Sequence, residues 1–486
     1  MNRSLRVGFV VFVWVVCGIA VAEDLSRSGK TTVLQSPIRL RVSDQFIDTG
    51  AAWGHSSPCI ADLDSDGLDD LIVGDFGGKF QWFRNVGTKI EPKYAMREQA
   101  TSDVAAPPKL TTWFGRITEY WNPSSKLSGK VQERLGELIQ AGGVDAEVHI
   151  YCCIGAQARF CDLDGDGLND MIANSYDPGH CYLFRGLPNN KFAAREELLD
   201  KSSTPIRSSP IQKQNYQSFG SFFEPVDWDN DGDFDLLIGC FEGSLKLRIN
   251  EGTSKNPDFA IENIVVETSG EPLRVKGHLC PVVADWDGDG LWDIVAGSED
   301  GSVTWFQNIG NKLSPKFSAG QELVAANTGS GYNLLLWSDA EIVPGIRSQV
   351  EVTDYNHDGK LDLIVGDFYT AYDVKSDLTD SQKKEVLRLI SEDNATTKAF
   401  TDKLAALRKD FALRFPGDEV FNEKAEREWK EEYQALKTSP EYQRMVEDEK
   451  SLGKNLRPFL NSTRGDGNES HQLAQSHGHV WLFTRD

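Results

Sequence analysis

Five nine-residue loops carry the clearest chemistry in this sequence: "DLDSDGLDD" from Asp62, "DLDGDGLND" from Asp162, "DWDNDGDFD" from Asp227, "DWDGDGLWD" from Asp285 and "DYNHDGKLD" from Asp354. Each sets acidic or amide side chains at positions 1, 3, 5 and 9 of a tight turn, with glycine at position 6 to permit the bend. Oxygen donors at that spacing suit a hard divalent cation, and position 7 would add its backbone carbonyl. The expected ligands are Asp62, Asp64, Asp66 and Asp70; Asp162, Asp164, Asp166 and Asp170; Asp227, Asp229, Asp231 and Asp235; Asp285, Asp287, Asp289 and Asp293; and Asp354, Asn356, Asp358 and Asp362. Calcium fits such a set better than magnesium, which keeps several waters. The expectation is about five structural Ca2+ sites, the fifth weakest because Asn356 replaces a carboxylate.

One such loop alone would read as an acidic turn, since Asp and Gly are common turn residues. Five in register argue for the cation. The five loops hold 21 aspartates, and without a counterion each close carboxylate pair repels by roughly 1 to 4 kcal/mol.

Strands must hold these loops. Each loop is followed by an apolar run, "LIVG", "MIAN", "LLIG", "IVAG" or "LIVG", and then by a glycine-led segment: "KFQWFRN", "HCYLFRG", "SLKLRIN", "SVTWFQN" and "HVWLFTR". Apolar residues alternate along these segments, as in a half-buried strand. A further strand is expected at "PKYAMREQ", "NKFAAREE", "PDFAIENI" and "PKFSAGQE", and the segment from Ser36 supplies the one missing from the last unit. Loop starts 100, 65, 58 and 69 residues apart then predict an all-β propeller of five four-stranded blades, seven being the alternative, with the N-terminal strand closing the last blade.

Two stretches break the period. Residues 101–148 are expected between the first and second blades, and residues 369–477 as a helical insertion inside the last. Phe400, Leu404, Leu407 and Phe411 recur at helical spacing, as do Phe421, Ala425, Trp429, Tyr433 and Leu436 after "FPGDE". Both insertions are placed on the face opposite the aspartate loops.

Residues 1–22 have the pattern of a signal peptide, with Arg3 and Arg6, an apolar run and Ala20-Val21-Ala22 before a cleavage point. Residues 23–35 then form a linker and 36–486 the propeller. The expected location is secreted, periplasmic or cell-surface, with no stable membrane span in the mature chain. Cleavage would leave 49 basic against 74 acidic residues, a net charge of −25, which repels nucleic acid and anionic membranes. Residues 375–460 hold 17 basic and 18 acidic residues, so the acidity belongs to the propeller. Seven cysteines would remain; Cys59, Cys161 and Cys280 read as buried small hydrophobes, and Cys152-Cys153 as weak redox candidates.

The loops, with "LIVGDF" and "IVAGSEDGSVTWFQNIG" after them, resemble the FG-GAP/VCBS repeat family over residues 36–100, 150–367 and 478–486. That resemblance implies an integrin-alpha-like calcium-binding propeller of the secreted bacterial type, with roles in adhesion, ligand binding or, in some members, polysaccharide cleavage.

For function, a secreted ligand-binding or adhesion module for an unknown protein or glycan leads. His55, His278 and Arg347, with Trp53, Gln157 and Arg159 nearby, are placed at the axial mouth as ligand-binding candidates. A polysaccharide lyase using His278 beside Arg347, or a scaffold docking a protein through its helical insertion, are the alternatives. No catalytic residue is assigned: the sequence has no HExxH, nucleophile elbow or phosphate loop. "RGD" at Arg464 to Asp466 is discounted as a chance tripeptide.

Overall fold

The computed structural model describes residues 34–52, 54–96, 134–148, 154–176, 179–208, 220–327, 334–335, 343–372, 374–415, 423–461 and 474–485. The fold is an all-β propeller arrangement carrying a few helices. Each aspartate loop is a turn between the first two strands of a sheet. Ser57–Ala61 pairs antiparallel with Asp70–Gly74, Ala158–Cys161 with Asp170–Ala173, and Phe222–Val226 with Asp235–Gly239. Cys280–Ala284 pairs in the same way with Asp293–Gly297, and Ile346–Thr353 with Asp362–Tyr372. The apolar runs after the loops are the second strands, buried on both faces. The glycine-led segments are the third: Phe80–Phe83, Tyr182–Phe184, Leu245–Arg248, Val303–Phe306 and Val480–Phe483.

The first strands of these five sheets touch in a closed cycle, from Ser57–Ala61 through the others in chain order to Ile346–Thr353 and back. Glycine at the end of a second strand permits that approach. A Cβ on Gly74 would lie 1.6 Å from the Ala156 carbonyl oxygen, and one on Gly366 2.1 Å from that of Ser56. The N-terminal segment joins the last sheet, where Ile38 pairs with Leu482 and Arg39 with Trp481.

Three features correct the sequence-based picture. First, among the described residues six sheets have four or more strands, not five. The sixth carries no aspartate loop; it forms from the hairpin Gln140–Ala141/Val144–Asp145 and the hairpin Gly186–Leu187/Lys191–Phe192, joined where Phe192 meets Ala141 in parallel. Links between sheets thus make pairings of their own, which a count of loops cannot register.

Second, the fourth strand of the first sheet is Glu137–Leu138, paired with Gln81 and Trp82, and lies inside the stretch 101–148 assigned to an inter-blade link. The long connection therefore joins a third strand to a fourth and leaves on the same side as the aspartate loops. Three of the expected outer strands are found at the far ends of the segments read for them, where "NKFAAREE", "PDFAIENI" and "PKFSAGQE" run into the fourth strands, while the stretches around Tyr94, Phe192, Phe259 and Phe317 serve differently. Their aromatic rings are buried, and Tyr94, Phe259 and Phe317 bridge back to Asn85, Asn250 and Asn308; the fourth strands of the next three sheets are Glu196–Glu197, Ile264–Val265 and Gln321–Val324.

Third, the insertion in the last sheet holds three helices, α1 (Asp380–Arg414), α2 (Glu423–Lys437) and α3 (Pro440–Leu456), where two were read. Thr379 and Gln382 form a capping box on α1, and Ser439 caps α3 with Pro440 following. The second strand runs on to Tyr372 and pairs there with Ala474–His477 on one side and, in parallel, with Leu334–Leu335 on the other, so a three-stranded stalk carries the helices. Val386, Leu389 and Ile390 of α1 pack with Tyr372, Leu452 and Leu456 at the stalk. Among the described residues no helix is long and apolar enough to cross a membrane.

Position 2 of one loop and position 8 of the next fill the seams between sheets. Trp228 lies 4.9 Å from Trp292 between ring centroids, Leu163 shares a core cluster with Phe234, and Trp286 shares one with Leu361. At the closing seam the pair is Tyr355 and Asp69, which line a shallow hollow. Trp286 is fully buried, so Trp286→Ala is expected to cost about 3–5 kcal/mol. The shift in urea midpoint, with Trp286→Phe recovering most of it, checks this.

Candidate functional site

All five loops share one backbone scheme. The first aspartate accepts the N–H of position 5 on one oxygen and that of position 6 on the other, as Asp62 does from Asp66 at 3.1 Å and Gly67 at 2.9 Å. The position-5 carboxylate accepts the N–H of position 7, as Asp66 does from Leu68 at 2.8 Å. Positions 4 and 6 are left-handed throughout, with φ from 52° to 75° at position 4 and from 86° to 93° at the glycine. That backbone turns side chains 1, 3 and 5 to one point. In four loops their oxygens lie within 4.8 Å of one another: Asp62, Asp64 and Asp66; Asp162, Asp164 and Asp166; Asp227, Asp229 and Asp231; and Asp285, Asp287 and Asp289.

The donor sets fit a hard cation on a further count. Oδ1 of Asp64 and Oδ1 of Asp164 are buried with no hydrogen-bond partner, although a buried carboxylate oxygen left bare is costly. In the fifth loop Asn356 donates its side-chain N–H to Asp358 at 3.2 Å, and the three-carboxylate cluster is absent there among the described residues.

Position 9 is placed differently from positions 1, 3 and 5. Asp70, Asp170, Asp235, Asp293 and Asp362 are buried and lie outside the mutually close sets. In the first four loops one oxygen accepts the N–H of position 2, as from Leu63 at 3.2 Å or Leu163 at 3.1 Å. The other accepts an N–H just beyond the third strand: Asn85, Gly186, Asn250, Asn308 or Arg485, at 2.6–2.9 Å. Trp82 and Trp305 add an indole N–H to Asp70 and Asp293. These carboxylates lock loop to strand. Burial pushes them up, Asp235 to about 7 and Asp293 to about 6, against the pull of those N–H donors.

One column escaped the sequence reading although it is legible there, the residue directly after each third strand. Arg84 lies 3.9 Å from Asp64 Oδ2, Arg185 donates to Asp164 Oδ2 at 2.5 Å, and Gln307 donates to Asp287 Oδ2 at 2.6 Å.

At the other end of the first strands, His55, His278 and Arg347 each stand seven residues before their loop in left-handed backbone, with φ of 60°, 49° and 58°. The structure brings His55 and Arg347 together, Nη1 to Nε2 at 2.7 Å. His55 stacks on Phe368 at 4.0 Å and on Phe76 at 5.0 Å. His278 packs against Phe241 at 4.0 Å, and both of its ring nitrogens are buried without a hydrogen-bond partner. Burial, helped by the Arg347 charge, holds its pKa well below the usual histidine range, so the ring is neutral. Trp53 lies outside the described residues. Arg159 and Gln157 sit deeper on the axis, Arg159 bonded to Glu224 and Glu351.

A second histidine group beside this mouth went unread. His477 Nδ1 meets Asp48 Oδ2 at 2.7 Å, and His479 Nδ1 meets the Tyr369 hydroxyl at 3.0 Å. Burial would raise Asp48, but His477, His479 and the Gly478 N–H more than offset it and hold the carboxyl far below its ordinary range. "HGH" at 477–479 was the available signal. Cys59, Cys161, Cys181, Cys240 and Cys280 are all buried free thiols; Cys152 and Cys153 fall outside the described residues.

A family model described as FG-GAP-like repeat matches residues 162–238 and 285–365, the stretches that hold four of the five loops. No curated protein matches the chain. Among solved structures, an Agrocybe aegerita lectin described as specifically recognising non-reducing terminal N-acetylglucosamine is 17% identical, with a TM-score of 0.31, covering 64% of this chain and 74% of that one. A structure of BBS1N in complex with ARL6DN is 12% identical, with a TM-score of 0.28, covering 69% and 82%.

Proposed function

Because a family model described as FG-GAP-like repeat matches residues 162–238 and 285–365, we propose that this chain is a ligand-binding propeller stiffened by structural divalent cations, calcium before magnesium. The observation that carries this reading is the convergence of positions 1, 3 and 5 in four loops, within 4.8 Å, together with the bare buried oxygens of Asp64 and Asp164. Those residues would hold the ions, and Asp354, Asn356 and Asp358 a weaker fifth. Bound calcium neutralises the clustered carboxylates; the position-9 aspartates then transmit the fixed loop to the third strand through their N–H bonds.

The partner, an extracellular protein or glycan, meets the face that bears the helices, at the mouth whose floor the buried His55, His278 and Arg347 shape from beneath. A lyase reading is less favoured by the geometry: His278 is only 3% exposed, whereas a general base must reach its substrate. Export after cleavage near Ala22 completes the proposal.

Native mass spectrometry of the purified chain, followed by a glycan and protein array with and without EGTA, tests it. Four or five calcium ions per chain and a calcium-dependent ligand are expected. Absence of any bound divalent cation would overturn the reading. Combined alanine substitution of His55, His278 and Arg347 should weaken retention of that ligand at least tenfold.

A further inference from the structure

The five loops are near copies, yet the residue that follows each third strand differs: Arg84, Arg185, Ile249, Gln307 and Thr484. This column faces position 3 of the loop. Resting on the cation reading above, we propose that it grades the five cation sites: an arginine bound to the position-3 carboxylate acts as a resident counter-charge and weakens ion binding in that loop.

The contacts fall in steps. In the second loop Arg185 holds Asp164 Oδ2 and is itself shared with Glu196 at 2.7 Å. In the first, Arg84 lies 3.9 Å from Asp64 Oδ2. In both, the opposite oxygen is the buried one without a partner, so the guanidinium occupies one side of the carboxylate while the other still faces the cluster. In the fourth loop a neutral amide takes that place, Gln307 donating to Asp287 at 2.6 Å.

The third loop has no such partner among the described residues. The column holds the apolar Ile249 there, packed against the core, while Arg248, one residue earlier in the strand, binds Asn263 at 2.7 Å, the Ala260 carbonyl at 2.6 Å and Asp200 at 3.3 Å. The same loop carries an extra carboxylate, Asp233, whose Oδ1 is buried and unpartnered. In the fifth loop Thr484 pairs with Gln35 and position 3 is Asn356. Coulomb's law orders the sites accordingly. The third loop binds tightest, the fourth next, the first and second more weakly, and the fifth weakest for want of a carboxylate.

A positive charge bonded to a ligating oxygen opposes a divalent ion enough to cost about tenfold in affinity even at the dielectric of water. Arg185 is 46% exposed in its side chain, so its replacement leaves the core intact. Calorimetric calcium titration of the chelator-stripped full chain, as wild type, Arg185→Met, Arg185→Lys and Asp229→Asn, tests the ranking.

Loss of the tightest class in Asp229→Asn, about tenfold tightening of one weaker site in Arg185→Met, and wild-type behaviour in Arg185→Lys support it. Retention of the tightest class in Asp229→Asn overturns it, as does an Arg185→Met profile unchanged or weakened. A wild-type chain that takes up no calcium at all would instead sink the cation reading itself, a result distinct from both.

Discussion

Adding EGTA to the calcium-loaded protein is expected to lower its melting temperature by about 11 °C, through loss of roughly 2.7 kcal/mol per site at a hundredfold excess of ion over Kd. Four three-carboxylate loops give about 11 kcal/mol by that measure, and a chain of this size shifts by about 1 °C per kcal/mol. The chain carries a net charge of −23, so the stripped form also suffers general self-repulsion. Two controls separate the causes. High potassium chloride screens the diffuse repulsion and leaves most of the chelator effect, whereas magnesium in place of calcium restores only part of it. Differential scanning calorimetry reads all three, and a chelator shift under about 3 °C in low salt, roughly the worth of one site, would contradict structural cations.

The loops were legible because their chemistry is local. Two left-handed residues, three converging side chains and a following β-branched run all lie within fourteen residues, and the closing pair of Ile38 with Leu482 follows from counting strands. What escaped is what depends on neighbours. Glu137–Leu138 looks like linker and becomes a strand only because Gln81 and Trp82 offer it an edge. The sixth sheet arises where two links meet at Phe192 and Ala141. Position 9 reads as a ligand from spacing, and only the folded chain shows that Asp70 is buried beside the N–H groups of Leu63 and Asn85 and ties the loop to the third strand. The axial candidates were placed at the right end of the strands, but the pairing of His55 with Arg347, 292 residues apart, and the nearby Asp48–His477 pair are products of ring closure. Sequence showed which residue types were available; the ring decided which of them meet.

Arg159→Met should be the most damaging single substitution on the axis, costing about 3–5 kcal/mol, the range for stranding a buried charge. Arg159 stands in the first strand of the second sheet. Its guanidinium bonds Glu224 in the third sheet, Glu351 in the last at 3.2 Å and the Val350 carbonyl at 2.9 Å, so one side chain ties three sheets at the centre of the ring. The three side chains are only 6%, 9% and 12% exposed. Methionine fills the stem but leaves two carboxylates facing each other in the dry interior. The pH dependence separates this from simple loss of packing. Burial raises both acids, Glu351 to about 7, with Arg159 pulling against it. A carboxyl raised in the folded state binds a proton there that the unfolded chain releases above about 4.5, so its stability contribution is full at pH 4.5 and lost as pH climbs through 7. Without Arg159 both acids rise further. The deficit of Arg159→Met relative to wild type should therefore be largest at pH 8 and shrink toward pH 5, and the histidines common to both chains cancel in that difference. Adding Glu224→Gln and Glu351→Gln to the variant should remove the pH dependence and recover most of the stability, since neutral amides no longer need the guanidinium. Urea titrations at pH 5 and pH 8 decide it: a variant within about 1 kcal/mol of wild type at pH 8, inside the range of ordinary surface pairs, would mean that the axial charges are solvated and the ring is not held at its centre.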